Sequence, residues 1–315
     1  MAKMKARKLK EEDQELLRKV LGIVLALAVT TAVILIINYL FLWHPQPWSL
    51  DKSGHLSFPA RGQVEATSTI TEDKPQYMLE KAVYKSFDDN VYALLRVPKN
   101  VQKPPAVIIL PGATVNKSSD MMGVALADAG YATFTLDERG NMGETPGPFS
   151  GYPPLGYTQY LDGEDPVQYK QVYDVLMAYD YLKTRQDIDT DNIAVLGESM
   201  GGRFAIITAA LEPGIKGVIV VSSSDYGLVS EGDSKADMFI KSIEPSGYVS
   251  KVSPRKVAMF QFKNDSVISA DMAKALYDKA EEPKSWYIYE GDVHGVYSDV
   301  YVNDLKAELK EIFGR

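Results

Sequence analysis

The sequence predicts an α/β fold built on a mostly parallel sheet with helices on both faces, and three observations carry that prediction. The strand-like stretches in the second half, such as "AVIIL" at 106–110, "IAVL" at 193–196 and "VIVV" at 218–221, are uninterrupted apolar runs. A strand with one wet face alternates apolar and polar residues, so an unbroken run marks a strand covered on both sides. These runs are separated by segments whose apolar residues recur with helical spacing, as a parallel sheet requires of its crossovers. No internal repeat, low-complexity tract or long charge block divides residues 76–315, so one core serves this whole stretch.

Taken from the N-terminus, residues 1–19 form a basic cytoplasmic tail: Lys3, Lys5, Arg7, Lys8 and Lys10 precede any acid, and Arg18 and Lys19 abut the apolar run that follows. Residues 20–43, "VLGIVLALAVTTAVILIINYLFLW", carry no charge. As a helix they would extend roughly 36 Å, enough to cross a hydrocarbon layer of about 30 Å, and are expected to form an uncleaved transmembrane anchor. The positive-inside rule then keeps the N-terminus in the cytoplasm and puts everything after Trp43 outside. Tyr39, Trp43 and Trp48 fall where an outer interfacial aromatic belt is expected. Residues 44–75 are proline-spotted and polar without either period, and read as a stalk or linker, so that the folded domain is expected over 76–315.

Within that domain, "KAVYKSF" and "VYALLRVP" read as a first pair of strands, and "AVIILPG" as the first central one. A helix is expected near 119–130, then the strand of "ATFTLDERG", a long helix over 166–185 and the strand of "NIAVLG". After Ser199 follow a helix to Leu211, the strands of "GVIVVSS" and "KVAMFQF", a helix over 270–282, the strand of "SWYIYEG" and a last helix over 302–313.

Residues 1–44 hold seven of the basic and four of the acidic residues, which leaves 27 basic against 38 acidic beyond them, a net charge of −11. Such a surface repels phosphate backbones, so nucleic acid is not an expected partner. The chain contains no cysteine, which excludes disulfides, thiolate nucleophiles and cysteine-based metal sites.

The chemistry begins at "GESMG", residues 197–201, which lies between a strand and a helix. In that context G-x-S-x-G is a nucleophile elbow: glycines two positions either side of the serine let strand and helix approach while Ser199 is lifted above the sheet edge. A serine hydroxyl is a weak nucleophile at neutral pH and needs a base. Of the three histidines, His44 and His55 precede the expected domain, leaving His294 in "GDVHG". The orienting acid is expected between them in chain order, and Asp265, on the loop after "KVAMFQF", fits that place. Asp225 and Asp292 are the rivals. Backbone N–H groups of Ala113, after the first central strand, and Met200, after the nucleophile, are expected to form the oxyanion hole. Glu198, inside the elbow, is given no catalytic role.

With these motifs in order, the chain resembles α/β-hydrolases of the dienelactone hydrolase and prolyl oligopeptidase-like group over residues 76–315. The resemblance rests on "LPGATVNK", "GYATFTLDERGNMGET", "NIAVLGESMGG", "SPRKVAMFQFKNDSVIS" and "GDVHG". It departs from dienelactone hydrolases in having Ser199 where they use cysteine, and from many relatives in having Pro111-Gly112 where they have His-Gly. It also lacks the propeller that precedes the domain in prolyl oligopeptidases. The resemblance implies that Asp137, Arg139 and Gly140 border the site, where Arg139 either holds a substrate carboxylate or forms a structural salt bridge. Residues 147–165, with Phe149, Tyr152, Tyr157 and Tyr160, read either as a mobile aromatic rim, in which Tyr152 and Tyr157 meet substrate, or as a loop packing its aromatics.

The expectation is therefore a single-pass membrane serine hydrolase whose extracytoplasmic domain cleaves a carboxylic ester, thioester or small amide through an acyl-enzyme, with no cofactor and no metal. A small-peptide peptidase or acyltransferase uses the same three residues, and a catalytically silent adhesion or binding domain is the alternative from another class. The expected partners are a small-molecule or short-peptide substrate and the membrane.

Overall fold

The computed structural model describes residues 2–37, 47–295 and 297–315, which fall into two units, 1–47 and 48–315. In the first, a single helix α1 (Ala2–Ile37) contains an apolar stretch, Asp13–Ile37, long enough to cross a membrane, with mean hydropathy 3.0 over its most apolar window. None of that window is buried against protein. Tyr39, Trp43 and His44 lie outside the described residues.

The second unit is built on a nine-stranded sheet. Its strands are β3 (Ala66–Asp73), β4 (Tyr77–Ser86), β5 (Asp89–Pro98), β6 (Pro105–Leu110), β7 (Ala132–Leu136), β8 (Asp189–Glu198), β9 (Gly217–Val221), β10 (Lys256–Phe262) and β11 (Lys284–Tyr289), preceded by a two-residue hairpin of β1 (Ser49–Leu50) and β2 (Leu56–Ser57). The sheet order is β11-β10-β9-β8-β6-β7-β5-β4-β3, parallel from β11 through β7 and antiparallel beyond. β6, β7, β8, β9 and β10 are buried almost throughout, as their apolar runs demand. The chain passes from β6 to β7 on one side and on to β8 on the other, so a crevice opens at the carboxyl ends of the strands where the order reverses.

Helices cover both faces. One face is packed by α4 (Val167–Lys183) and α5 (Met200–Leu211), whose Val175, Tyr179, Phe204 and Ile207 join Ile108, Phe134 and Val195 from the sheet. The other is packed by α2 (Met121–Asp128) and α8 (Val302–Phe313), whose Met122, Leu126, Leu305 and Leu309 meet Val107, Ile109, Ile219 and Phe260. A further helix, α7 (Ala270–Asp278), starts at Ser269, whose hydroxyl accepts from Met272 N–H. Every expected strand and helix of the domain is present, the helix bounds lying within four residues of those expected.

Three corrections concern segments without periodicity. The expected stalk over 44–75 is folded from Trp48 onward, and the compact unit begins there rather than at residue 76. Trp48, expected in an aromatic belt, is packed into the folded unit: its ring meets Tyr169 edge-on at 4.8 Å and its indole N–H donates to Asp165 at 2.9 Å. Leu56 is buried and its N–H donates to the Tyr248 hydroxyl, while Arg61 pairs with Asp180 and Glu212. β3 then forms the sheet's outer edge, pairing with β4 from Ala66↔Tyr84 to Asp73↔Met78. Both faces of β3 are exposed, which is why "ATSTITED" shows no apolar alternation.

The expected loop over 147–165 contains a helix, α3 (Pro153–Asp162), with Pro153 and Pro154 in its first turn and Gly163 as a left-handed cap at φ +76°. A second helix not foreseen, α6 (Ser234–Ile243), starts at Asp233, whose carboxylate accepts from the N–H groups of Lys235 and Ala236. It buries Phe239 and Ile243 against Tyr169 and its neighbours.

Candidate active site

Ser199 stands between β8 and α5 with φ +50° and ψ −114°, a backbone conformation that L residues avoid. The turn is possible only because its neighbours lack side chains. A Cβ on Gly197 would sit 2.4 Å from the Gly201 carbonyl oxygen, and one on Gly201 would sit 2.2 Å from that of Leu110. The Ser199 N–H donates to Val221 O at 2.8 Å, which ties the elbow to the end of β9.

The loops after β10 and β11 bring Asp265 and His294 to the same crevice. His294 Nδ1 lies 2.8 Å from Asp265 Oδ2 and 3.1 Å from Oδ1, and His294 Nε2 lies 2.8 Å from Ser199 Oγ. The ionised carboxylate only accepts, so Nδ1 carries the proton and Nε2 is left to accept from the serine hydroxyl. Burial pushes the Asp265 carboxyl up, but the N–H groups of Ile268 and Val267 and the His294 ring outweigh it and hold the group below its ordinary value. The Asp265 side chain is fully buried and His294 is one quarter exposed, so the acid is shielded while the base meets the crevice.

The two rival acids are elsewhere. Asp225 accepts from Ser246 N–H and pairs with Lys279, and Asp292 is exposed. His55 pairs with Asp51 and packs edge-on against Tyr248.

Gly112 lies against the nucleophile, its Cβ position 3.4 Å from Ser199 Cβ. Ala113, next along, is exposed, and neither its N–H nor that of Met200 is engaged among the described residues. The loop bearing Ala113 is clamped by Asn141, a residue the sequence reading missed. Asn141 Oδ1 accepts from Thr114 N–H at 2.6 Å, and its Nδ2 donates to Gly112 O at 2.9 Å and Val115 O at 2.8 Å. Its only signal was a position just beyond "LDERG". Behind it, Lys117 is buried between Asp137 and Glu144, and Asp137 also accepts from Lys117 and Glu144 N–H groups.

Of the two roles open to Arg139, the structure places it in the second. Its side chain is 1% exposed, its guanidinium pairs with Asp174 and Asp89 and donates to Ser86 O, and no donor faces the crevice. Tyr157 donates its hydroxyl to Asp233 at 2.7 Å and packs on Phe239, joining α3 to α6. Tyr152 is exposed at the start of α3. Between these helices an apolar groove of about 240 Å³ is lined by Pro153, Tyr157, Leu228, Val229, Phe239 and Ile240. The preceding loop reaches the side chain of Met200, the residue after Ser199, since a Cβ on Gly151 would strike Met200 Sδ and the Phe149 ring. Among the described residues, no group of three or more His, Asp or Glu side chains is placed to hold a metal.

A hydroxyl, an imidazole and a buried carboxylate in one hydrogen-bonded line, beside free N–H groups, is an arrangement for acyl transfer. Comparison with known proteins identifies the family. The acetyl xylan esterase (AXE1) family model matches residues 63–233, a stretch that includes Ser199 and stops short of Asp265 and His294. An acetyl esterase, Axe7A, of Xylanibacter ruminicola is 32% identical over 133 residues, 39% of this chain, and the match spans 30% of that relative's length. Among solved structures, an acetyl xylan esterase from Paenibacillus sp. R4 superposes with a TM-score of 0.68 at 19% identity, covering 79% of this chain and 89% of that one. Acetyl xylan esterase 1 from Thermoanaerobacterium sp. JW/SL YS485 gives 0.67 at 17% identity, over 81% and 89%. The α/β-hydrolase fold expected from the motifs is thus the fold observed, and the chain belongs to the acetyl xylan esterase (AXE1) family of carboxylic ester hydrolases.

Proposed function

We propose that the chain is a membrane-anchored serine esterase that removes a short acyl group, acetyl foremost, from the hydroxyl of a small-molecule alcohol. The observation that carries the reading is the continuous relay from Ser199 Oγ through His294 to Asp265. The names of its relatives, acetyl and acetyl xylan esterases, support the acyl group chosen.

In this reading Ser199 Oγ attacks the ester carbonyl as its proton passes to His294 Nε2, and Asp265 steadies the imidazolium so formed. The carbonyl oxygen, now negative, turns toward the N–H groups of Ala113 and Met200 at the start of α5, where the helix dipole adds to them. The tetrahedral adduct collapses, the C–O bond to the alcohol breaks, and the alcohol leaves with the proton held by His294. Water then repeats the sequence on the acyl-serine: His294 takes its proton, the carboxylic acid departs and Ser199 recovers its hydrogen. No step calls on a metal or organic cofactor. The apolar stretch of α1 serves as the anchor, with the basic tail in the cytoplasm and the esterase unit outside.

The test is to label the full-length protein with a fluorophosphonate beside Ser199→Ala, then to assay 4-nitrophenyl acetate against aminoacyl anilides with and without an alcohol acceptor. The expected outcome is labelling of the wild type alone and ester hydrolysis at least about 10²-fold faster than that of anilides, a gap of the order that one transition-state interaction supplies. Equal labelling of both proteins removes Ser199 from the mechanism. Faster anilide cleavage makes the protein a peptidase, transfer to the alcohol makes it an acyltransferase, and labelling of neither makes the fold a silent binding module.

A further inference from the structure

Directly beside the nucleophile lies a second cleft, of about 220 Å³, whose walls include Pro111, Val115, Met122, Glu198, Gly295 and Tyr297. Ser199 is not itself one of its walls, but two of the walls adjoin it. Glu198 is the residue before Ser199, and Gly295 is so close that a Cβ there would lie 3.1 Å from Ser199 Cβ. The cleft is too small for a chain of sugars or peptide but holds about seven waters, or one small substituent of an ester, at about 30 Å³ per water.

Most of its wall is apolar; apart from Glu198 its polar side chains are the exposed Ser119 and the engaged Asp120 and Tyr297. The Asp120 carboxylate pairs with Arg96, accepts from Gly123 N–H and from the Thr135 hydroxyl, and the Tyr297 hydroxyl donates to Asp299. Glu198 differs. It is 7% exposed, no hydrogen bond reaches its carboxyl among the described residues, and its Oε1 is sealed from solvent without a partner. A buried carboxyl without a partner destabilises the fold, and this one is distinguished from the others by lining a cleft next to Ser199. Burial, reinforced by the Asp120 charge, pushes this carboxyl up to about 8. At neutral pH it is therefore an uncharged acid that can both donate and accept.

We propose that this cleft is a substrate subsite, in which Glu198 as a neutral carboxylic acid hydrogen-bonds an uncharged oxygen of the ester, an ether or a hydroxyl, and rejects carboxylates. An alkyl group in the cleft would leave Glu198 unpaired. A carboxylate would face it and Asp120 together, with Arg96 already committed to Asp120. The proposal rests on the esterase reading, because the subsite is defined by its place next to the acylated serine.

The experiment uses full-length protein in detergent and two isosteric pairs of esters: 4-nitrophenyl methoxyacetate with 4-nitrophenyl butyrate, and 2-methoxyethyl acetate with butyl acetate. The quantity read is the ratio of kcat/KM within each pair, compared between wild type and Glu198→Leu, so that intrinsic reactivity and the fraction of active enzyme both cancel. In one pair the ratio is expected to fall about tenfold in Glu198→Leu and to stay within about threefold of wild type in Glu198→Gln, whose amide still donates. Ratios unchanged by Glu198→Leu in both pairs overturn the subsite. A measurement on the wild type alone guards against a variant that fails to fold: 4-nitrophenyl methyl succinate should be cleaved at least about tenfold faster than the free monosuccinate ester, and equal rates overturn the proposal. Fluorophosphonate labelling of the same preparation separates the two levels. A wild type that cleaves esters without labelling at Ser199 removes the esterase mechanism beneath the subsite, whereas normal labelling with unchanged ratios removes the subsite alone.

Discussion

Of the candidate site, Ser199 and His294 were legible because composition narrows the choice, and Asp265 only through its place on the loop after a strand. A chain without cysteine and with three histidines leaves few ways to activate a serine, and two of those histidines precede the sheet. Asn141 and Glu198 were not legible, since one acts by bridging backbone carbonyls and the other by lacking a partner, and neither property has a sequence period. The Glu198 carboxyl also has a thermodynamic consequence. Its value rises from 4.5 in the unfolded chain to about 8 in the fold, so between those limits the folded protein holds a proton that the unfolded one has lost. Stability due to this group is greatest below about pH 4.5, declines as pH rises toward 8 and is constant beyond. The melting temperature of the wild type should therefore fall more between pH 5 and pH 8 than that of Glu198→Gln. Parallel curves for the two proteins would show that Glu198 ionises freely.

The elements that sequence periodicity found are those with a dry face, and the ones it missed are held by other means. β3 is wet on both sides and survives by pairing with β4 alone. α3 is masked by two prolines and a terminal glycine that are good helix punctuation but poor helix composition, and the hairpin of β1 and β2 is too short to show any period. Residues 48–61 instead dock through single anchors: the Trp48 indole, Leu56 under the Tyr248 hydroxyl and the Arg61 pairs. Trp48→Ala removes an almost fully buried aromatic and the donor to Asp165, and is expected to cost about 3 kcal/mol or more, read as a lowered denaturation midpoint. A free stalk at this position would show no change.

Taken together, the chain joins an apolar helix to a folded unit of the esterase family, and in the proposed topology the basic tail sets the direction of that arrangement. Protease added to intact cells should digest the unit that begins at Trp48 when α1 spans the membrane with its N-terminus inside, and spare it until lysis in the opposite orientation. Within that unit, the proposed nucleophile, acid and base follow β8, β10 and β11, and β10 joins the sheet through β9 while β11 joins through β10. The catalytic line is therefore completed from its late end. If the proposed roles hold, a nascent chain that has shaped its elbow owns a serine with no base to sharpen it until the last two strands are in place.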